Sequence, residues 1–164
     1  DRLIFPGVGS FGDCVADLDR KGLREPILDW LGSNRPFFGI CLGYQVLFEN
    51  SEETPGVDGL GFFDGSVVRF NSLHGLKIPH MGWNEVKPID RDYHMWAGTR
   101  DPLHLYFVHS FFPKPADQSI INSETHYGAP FASSISQGKI FAGQFHPERS
   151  QDAGLALVRN FLEK

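Results

Sequence analysis

Cysteine and methionine are both scarce, two of each in 164 residues. Two thiols, Cys14 and Cys41, cannot build a disulfide framework, and without a secretory signal they read as reduced. There is no CxxC pair and no HExxH motif, and the seven histidines are scattered, so the sequence supports neither a metal site nor a cofactor. Positive charge is also in short supply. Fifteen Lys and Arg against twenty Asp and Glu leave a net charge of −5, with no basic excess to neutralise a phosphate backbone, which argues against nucleic acid as a partner. Long apolar runs are missing as well. Leu105-Tyr106-Phe107-Val108 falls far short of the roughly 20 residues a bilayer-spanning helix needs. These absences predict a soluble, cytoplasmic protein with no membrane partner.

The residues present suit a single packed domain: 41% are hydrophobic, 21% are charged, and 15 are phenylalanines. The spacing predicts a strand over 3–5, ended by Pro6-Gly7-Val8-Gly9. A helical stretch follows over 11–31, divided near Gly22 and Pro26, then a strand over 37–40. A helix over 44–49 is expected next, then strands with tight turns over 59–70. Loops are expected over 71–75 and 91–102, the second with Met95-Trp96-Ala97-Gly98 at its tip. Further strands are expected over 103–108, 119–122, 131–136 and 139–145, the last two joined by a hairpin at Gln137-Gly138. Ser150 or Asp152 can cap a final helix in which Leu155, Val158 and Leu162 recur at helical spacing. Early strand–helix alternation followed by consecutive strands predicts an α/β domain with antiparallel additions.

Gly39-Ile40-Cys41-Leu42-Gly43 has the small–x–nucleophile–x–small form of a nucleophile elbow, set where a strand hands over to a helix. At a helix N-terminus the amides and dipole would favour a thiolate at Cys41; the alternative is a small buried hydrophobe. In the extended segment Phe145-His146-Pro147-Glu148, residues two apart share a face. Glu148 can therefore hold one imidazole nitrogen of His146 while the other serves as base; a surface turn is the alternative. The Leu42 amide and the Gly7-Val8-Gly9 turn are candidate donors to a developing oxyanion, although a tight turn alone would also explain the glycines. Gln45, four positions beyond Cys41, can reach the same face, or can be an ordinary exposed helix residue.

Taken in order, Pro6-Gly7-Val8-Gly9, Gly39-Ile40-Cys41-Leu42-Gly43-Tyr44-Gln45 and Phe145-His146-Pro147-Glu148 resemble the triad-type class I glutamine amidotransferases. Within them, Lys77-Ile78-Pro79-His80-Met81-Gly82-Trp83-Asn84 is similar to the glutaminase subunits of imidazole glycerol phosphate synthases. The resemblance implies a flavodoxin-like three-layer sandwich around a central, mostly parallel sheet with antiparallel additions. It implies that Cys41 attacks the carboxamide of L-glutamine, that His146 moves the proton and that Glu148 orients His146. It places Val8, Gly9 and Leu42 at the oxyanion hole and Gly7, Gln45 and Glu53 around glutamine. Ammonia would pass to a (β/α)8-barrel cyclase forming a heterodimer with this chain, with Trp83, Asn84 and Arg149 at the interface; a buried Trp anchoring a turn is the plainer reading of Trp83. Two positions depart from the family: Phe111 stands where tyrosine is usual, and Arg149 where lysine follows His-Pro-Glu. The chain opens without Met at the strand before the glycine loop. The resemblance implies a strand–helix–strand unit upstream of that opening, making residues 1–164 a single, N-terminally incomplete domain. An amidotransferase subunit of another synthase, a truncated non-catalytic interaction domain and a plain Cys–His hydrolase remain as alternatives.

Overall fold

The computed structural model describes residues 1–71 and 75–163. Its largest sheet has six strands: β1 (Leu3–Gly7), β2 (Phe37–Cys41), β11 (Ile140–Gly143), β10 (Ala129–Gln137), β9 (Ile121–Tyr127) and β6 (Lys87–Pro88), in that order. The first three run parallel, and β10, β9 and β6 continue the sheet antiparallel. Two smaller sheets stand beside it. One combines β3 (Phe48–Ser51), β4 (Phe63–Arg69) and β8 (Phe111–Pro115), and the other pairs β5 (His80–Glu85) with β7 (His104–His109).

β2 is buried at every position, the pattern of a strand covered on both faces. Phe37 joins one core cluster, with Phe11, Val15 and Leu18 of α1 (Phe11–Arg20) and Leu31 of α2 (Arg24–Gly32). Phe38 joins the other, with Phe141, Leu157 and Phe161, the last two on α4 (Gln151–Glu163). Adjacent phenylalanines thus face opposite layers, as the period of two requires. The helix break falls where glycine and proline predict it: Gly22 takes φ +64° between α1 and α2, and Pro26 lies in the first turn of α2. The 137–138 hairpin forms with Gly138 at φ +58°.

Several expectations are corrected. The helix predicted over 44–49 is a single turn, α3 (Leu42–Gln45), and Phe48–Ser51 is strand, because it pairs in parallel with β4. Met95 and Trp96 do not form a loop tip. They are buried in a 3-10 turn (His94–Trp96), with Trp96 Nε1 donating to Asn122 Oδ1 at 2.8 Å. The inward stripe of α4 is Gly154, Leu157 and Phe161, whereas Leu155 and Leu162 are exposed. The Ser150 hydroxyl accepts from Tyr106 N and donates to His146 O, tying β7 to the segment after β11. Strands β5 and β8 have no counterpart among the predicted elements. Of the expected 71–75 loop, residues 72–74 lie outside those described.

Candidate active site

The parallel register sets Gly7 directly opposite Cys41, so the glycine loop and the end of β2 emerge side by side. Cys41 turns the chain from strand to helix with φ +52° and ψ −105°, a backbone state that side-chain-bearing residues rarely occupy. Its neighbours must be small. A Cβ on Gly39 would come within 2.7 Å of Gly43 O, and one on Gly43 would collide with Phe5 O. The turn carries Cys41 out of strand alternation, so it shares a core cluster with the adjacent Ile40.

Cys41, Val8, Gly9, Leu42, Gln45, Glu53, His109, Phe111 and His146 line one cavity of about 260 Å³. His146 is buried, and its Nδ1 lies 2.7 Å from Oε1 of the exposed Glu148. Its Nε2 is buried with no hydrogen-bond partner, a state that costs free energy unless a transient partner uses it. Both nitrogens are thereby distinguished, one oriented by a carboxylate and the other left open.

The thiolate expectation is corrected. Burial pushes the Cys41 thiol up to about 12, against the Leu42 amide, while the Glu148 charge adds to the rise, the Gln144 carboxamide opposes it and Glu53 adds to it. Four residues of α3 carry too few aligned peptides to outweigh desolvation. At neutral pH the resting sulfur is a thiol, and attack requires a proton acceptor.

Gln45 is buried rather than an exposed helix residue. Its Nε2 donates to Phe111 O at 2.9 Å and Gln144 Oε1 at 3.1 Å, and Gln144 Nε2 in turn donates to Cys41 Sγ at 3.5 Å. Glu53 Oε2 accepts from Phe11 N at 2.8 Å and Thr54 Oγ1 accepts from Gly12 N at 3.2 Å, holding the start of α1 behind the glycine loop. Gly7 is packed against Leu42, where a Cβ would approach Leu42 Cβ to 2.9 Å. Gln144 and His109 were not singled out from sequence. Gln144 could have been, since it lies two before His146 on an extended segment and so shares its face.

Trp83 and Arg149 lie on the surface, and the Arg149 guanidinium stacks 4.1 Å from the Tyr106 ring centre. Trp83, 47% exposed, meets Tyr106 edge-on and lies on β5 with the 65%-exposed Met81. It is therefore not a buried anchor. Asn84 is half-buried, with its amide engaged internally. Among the described residues no group of three or more His, Cys, Asp or Glu side chains could hold a metal ion, and no helix is long and apolar enough to cross a membrane.

The sequence pattern of the family "Glutamine amidotransferase class-I" matches residues 1–164. The chain is 47% identical over 169 residues to "Imidazole glycerol phosphate synthase subunit HisH" of Aromatoleum aromaticum, covering 98% of this chain and 78% of that protein. It is 45% identical over 166 residues to "Imidazole glycerol phosphate synthase hisHF, chloroplastic" of Arabidopsis thaliana, covering 99% of this chain and 27% of that one. Among solved structures, "Structure of PurLQS from Thermotoga maritima" superposes with a TM-score of 0.73 at 19% identity, over 98% of this chain and 78% of that one. The glutaminase domain of Trypanosoma brucei CTPS with bound acivicin superposes at 0.66 and 16% identity, over 100% and 72%. At those identities the superpositions establish the fold.

Proposed function

The chain belongs to the class I glutamine amidotransferase family, and on that premise we propose that it is the glutaminase subunit of an imidazole glycerol phosphate synthase. The observation that carries this reading is the cavity shared by a strained, buried Cys41 and a His146 whose Nε2 is buried and unpaired.

L-Glutamine enters with its side-chain carboxamide over Cys41, its polar end held by Gly7, Gln45 and Glu53. His146 Nε2 takes the thiol proton as the sulfur attacks the carboxamide carbon, and Glu148 steadies the imidazolium through Nδ1. The Leu42 amide and the Val8–Gly9 turn donate to the oxyanion. Collapse breaks the C–N bond, His146 returns the proton to the departing nitrogen, and ammonia leaves a γ-glutamyl thioester. A water molecule, deprotonated by His146, then hydrolyses the thioester to glutamate and restores the thiol. Ammonia is passed to a (β/α)8-barrel cyclase that docks over Trp83, Asn84 and Arg149 and builds it into the imidazole ring for histidine biosynthesis. The names of the relatives support that partner and that pathway.

The test is Cys41→Ala in the assembled synthase. Glutamine-dependent synthesis is expected to vanish while ammonia-dependent synthesis by the cyclase persists, and equal loss of both would overturn the assignment. Restoration of growth to a histidine-requiring strain distinguishes this reading from an amidotransferase of another synthase.

A further inference from the structure

A hydrogen-bonded chain that the proposed chemistry does not use runs from Asn84 to His109 and Phe111, which line the cavity. Asn84 Nδ2 lies 3.1 Å from His80 Nε2, His80 Nδ1 lies 2.9 Å from His109 Nε2, and His109 Nδ1 lies 2.8 Å from Phe111 O. Both rings are buried among Phe70, Phe107, Phe131 and Tyr127, with His80 stacked on Tyr127 at 4.0 Å between ring centres. Burial lowers His80 to about 4 and His109 to about 3, so at neutral pH each ring carries one N–H.

The direction of the chain follows from its two ends. A carbonyl oxygen only accepts, so His109 must carry its proton on Nδ1, which leaves Nε2 as an acceptor and requires His80 to donate from Nδ1. His80 Nε2 is then an acceptor and needs a donor. Asn84 supplies it, because Asn84 Oδ1 accepts from Glu85 N at 2.8 Å and Nδ2 also donates to His126 O at 3.0 Å, which fixes the amide orientation. Every ring nitrogen is used once, and only one arrangement of protons satisfies all of them. A reversed amide at Asn84 would force His80 onto Nε2–H and His109 onto Nε2–H, leaving a bare His109 Nδ1 facing Phe111 O. Two lone pairs would then meet, and the carbonyl would be driven off.

The far end of the chain lies in the reaction cavity. Phe111 O accepts from His109 Nδ1 and also from Gln45 Nε2, whose other hydrogen goes to Gln144 Oε1, leaving Gln144 Nε2 to point at Cys41 Sγ. We propose that His80 and His109 are positioning residues of the glutamine site: held as Nδ1–H tautomers by Asn84, they clamp the Phe111 carbonyl that orients Gln45 and Gln144 against Cys41. The proposal rests on Cys41 as nucleophile and deepens that reading. It links β5, which presents Trp83 and Met81 at the surface, to the nucleophile by a route whose polarity can be reversed at one amide.

Two measurements test it. In ¹⁵N-histidine spectra of the wild-type chain, the resonances assigned to His80 and His109 by single substitution are expected to report neutral Nδ1–H tautomers at pH 7; Nε2–H at either ring overturns the chain. This readout is independent of activity, so it stands or falls separately from the Cys41→Ala experiment. In the complex with the cyclase, His109→Phe removes the donor to Phe111 O. Loss of one buried hydrogen bond of about 1.4 kcal/mol corresponds to roughly a tenfold lower kcat/KM, expressed mainly as a higher KM for glutamine. His109→Asn places an amide nitrogen where Nδ1 was and is expected to recover most of that loss. Equal KM values for the two variants would overturn the positioning role.

Discussion

At Cys41 two requirements oppose each other. The nucleophile must stand clear of a crowded turn, which φ +52° achieves, yet the same turn buries the sulfur and holds its proton on. The resting thiol predicts slow reaction with a neutral alkylating agent at pH 7 and a steep rise toward alkaline pH in the free chain. A glutamine-shaped electrophile that enters the cavity is expected to label Cys41 and spare Cys14, which lies on α1 outside the cavity; labelling of Cys14 in a mass-spectrometric digest would place the active site elsewhere. His109 predicts a second pH effect. Its folded-state value lies below the ordinary one of 6.5, so the unfolded chain binds the extra proton first. The stability it contributes is present above pH 6.5 and is lost as pH falls toward about 3. At about 1.4 kcal/mol per pH unit the two units below 6.5 amount to about 2.8 kcal/mol, and at roughly 2–4 °C of Tm per kcal/mol at this size the wild-type Tm should fall roughly 5–11 °C further than that of His109→Asn between pH 7 and pH 4.5. Parallel melting curves would refute the neutral buried ring. Cys41, His146 and Glu148 were legible as candidates because each signal is local. Gln45, four residues from Cys41, was legible as a pocket candidate, but its burial and its bonds to Phe111 and Gln144 depend on chain far away.

The elements show why some boundaries were readable and others were not. Glycine and proline announce breaks through the backbone itself, so the division of α1 from α2 and the 137–138 hairpin fell where expected. Phe48–Ser51 and Phe111–Pro115 are strands because they sandwich β4, and no periodicity within segments this short announces a partner elsewhere in the chain. The elbow glycines offer a direct test at this scale. Gly43→Ala would drive a Cβ into Phe5 O, so it should destabilise the fold by roughly 2 kcal/mol or more and displace the nucleophile. Gly32→Ala, at the end of α2 with open space around it, should instead raise stability by about 0.5–1 kcal/mol. Urea melts of the two variants compare them; a neutral Gly43→Ala would mean that the β1–α3 approach is not tight.

For the whole molecule, the layers bring together segments that begin and end far apart in sequence. The glycine loop, the end of β2 and the segment after β11 converge because β1, β2 and β11 are adjacent and parallel, which delivers their C-terminal ends to one edge of the sheet. On the surface nearby, Trp83, Met81, Tyr106 and Arg149 offer an apolar patch with a cation stacked on it. If the cyclase docks here, Trp83→Ala should weaken assembly by roughly tenfold in Kd or more, as loss of an aromatic anchor does. Titration by analytical ultracentrifugation reads this directly, and an unchanged Kd would move the interface. If the two sites are coupled, glutamine turnover should also rise when the cyclase binds, and an unchanged rate of glutamate release with and without it would count against a synthase role.

By itself the sequence determined the chemistry's candidates and the α/β class: three short motifs carry their geometry in their own spacing, and the unbroken apolar run over 37–40 marks β2 as a strand. Only the tertiary structure decided that Cys41 rests as a thiol, that Met95 and Trp96 are core, that the inner face of α4 is Gly154, Leu157 and Phe161, and that His80 meets His109. Each of these depends on which distant segment lies alongside. Burial, desolvation and cross-strand hydrogen bonding are properties of neighbours in space, and a separation of 29 positions between His80 and His109 says nothing of their 2.9 Å contact until β5 and β7 pair.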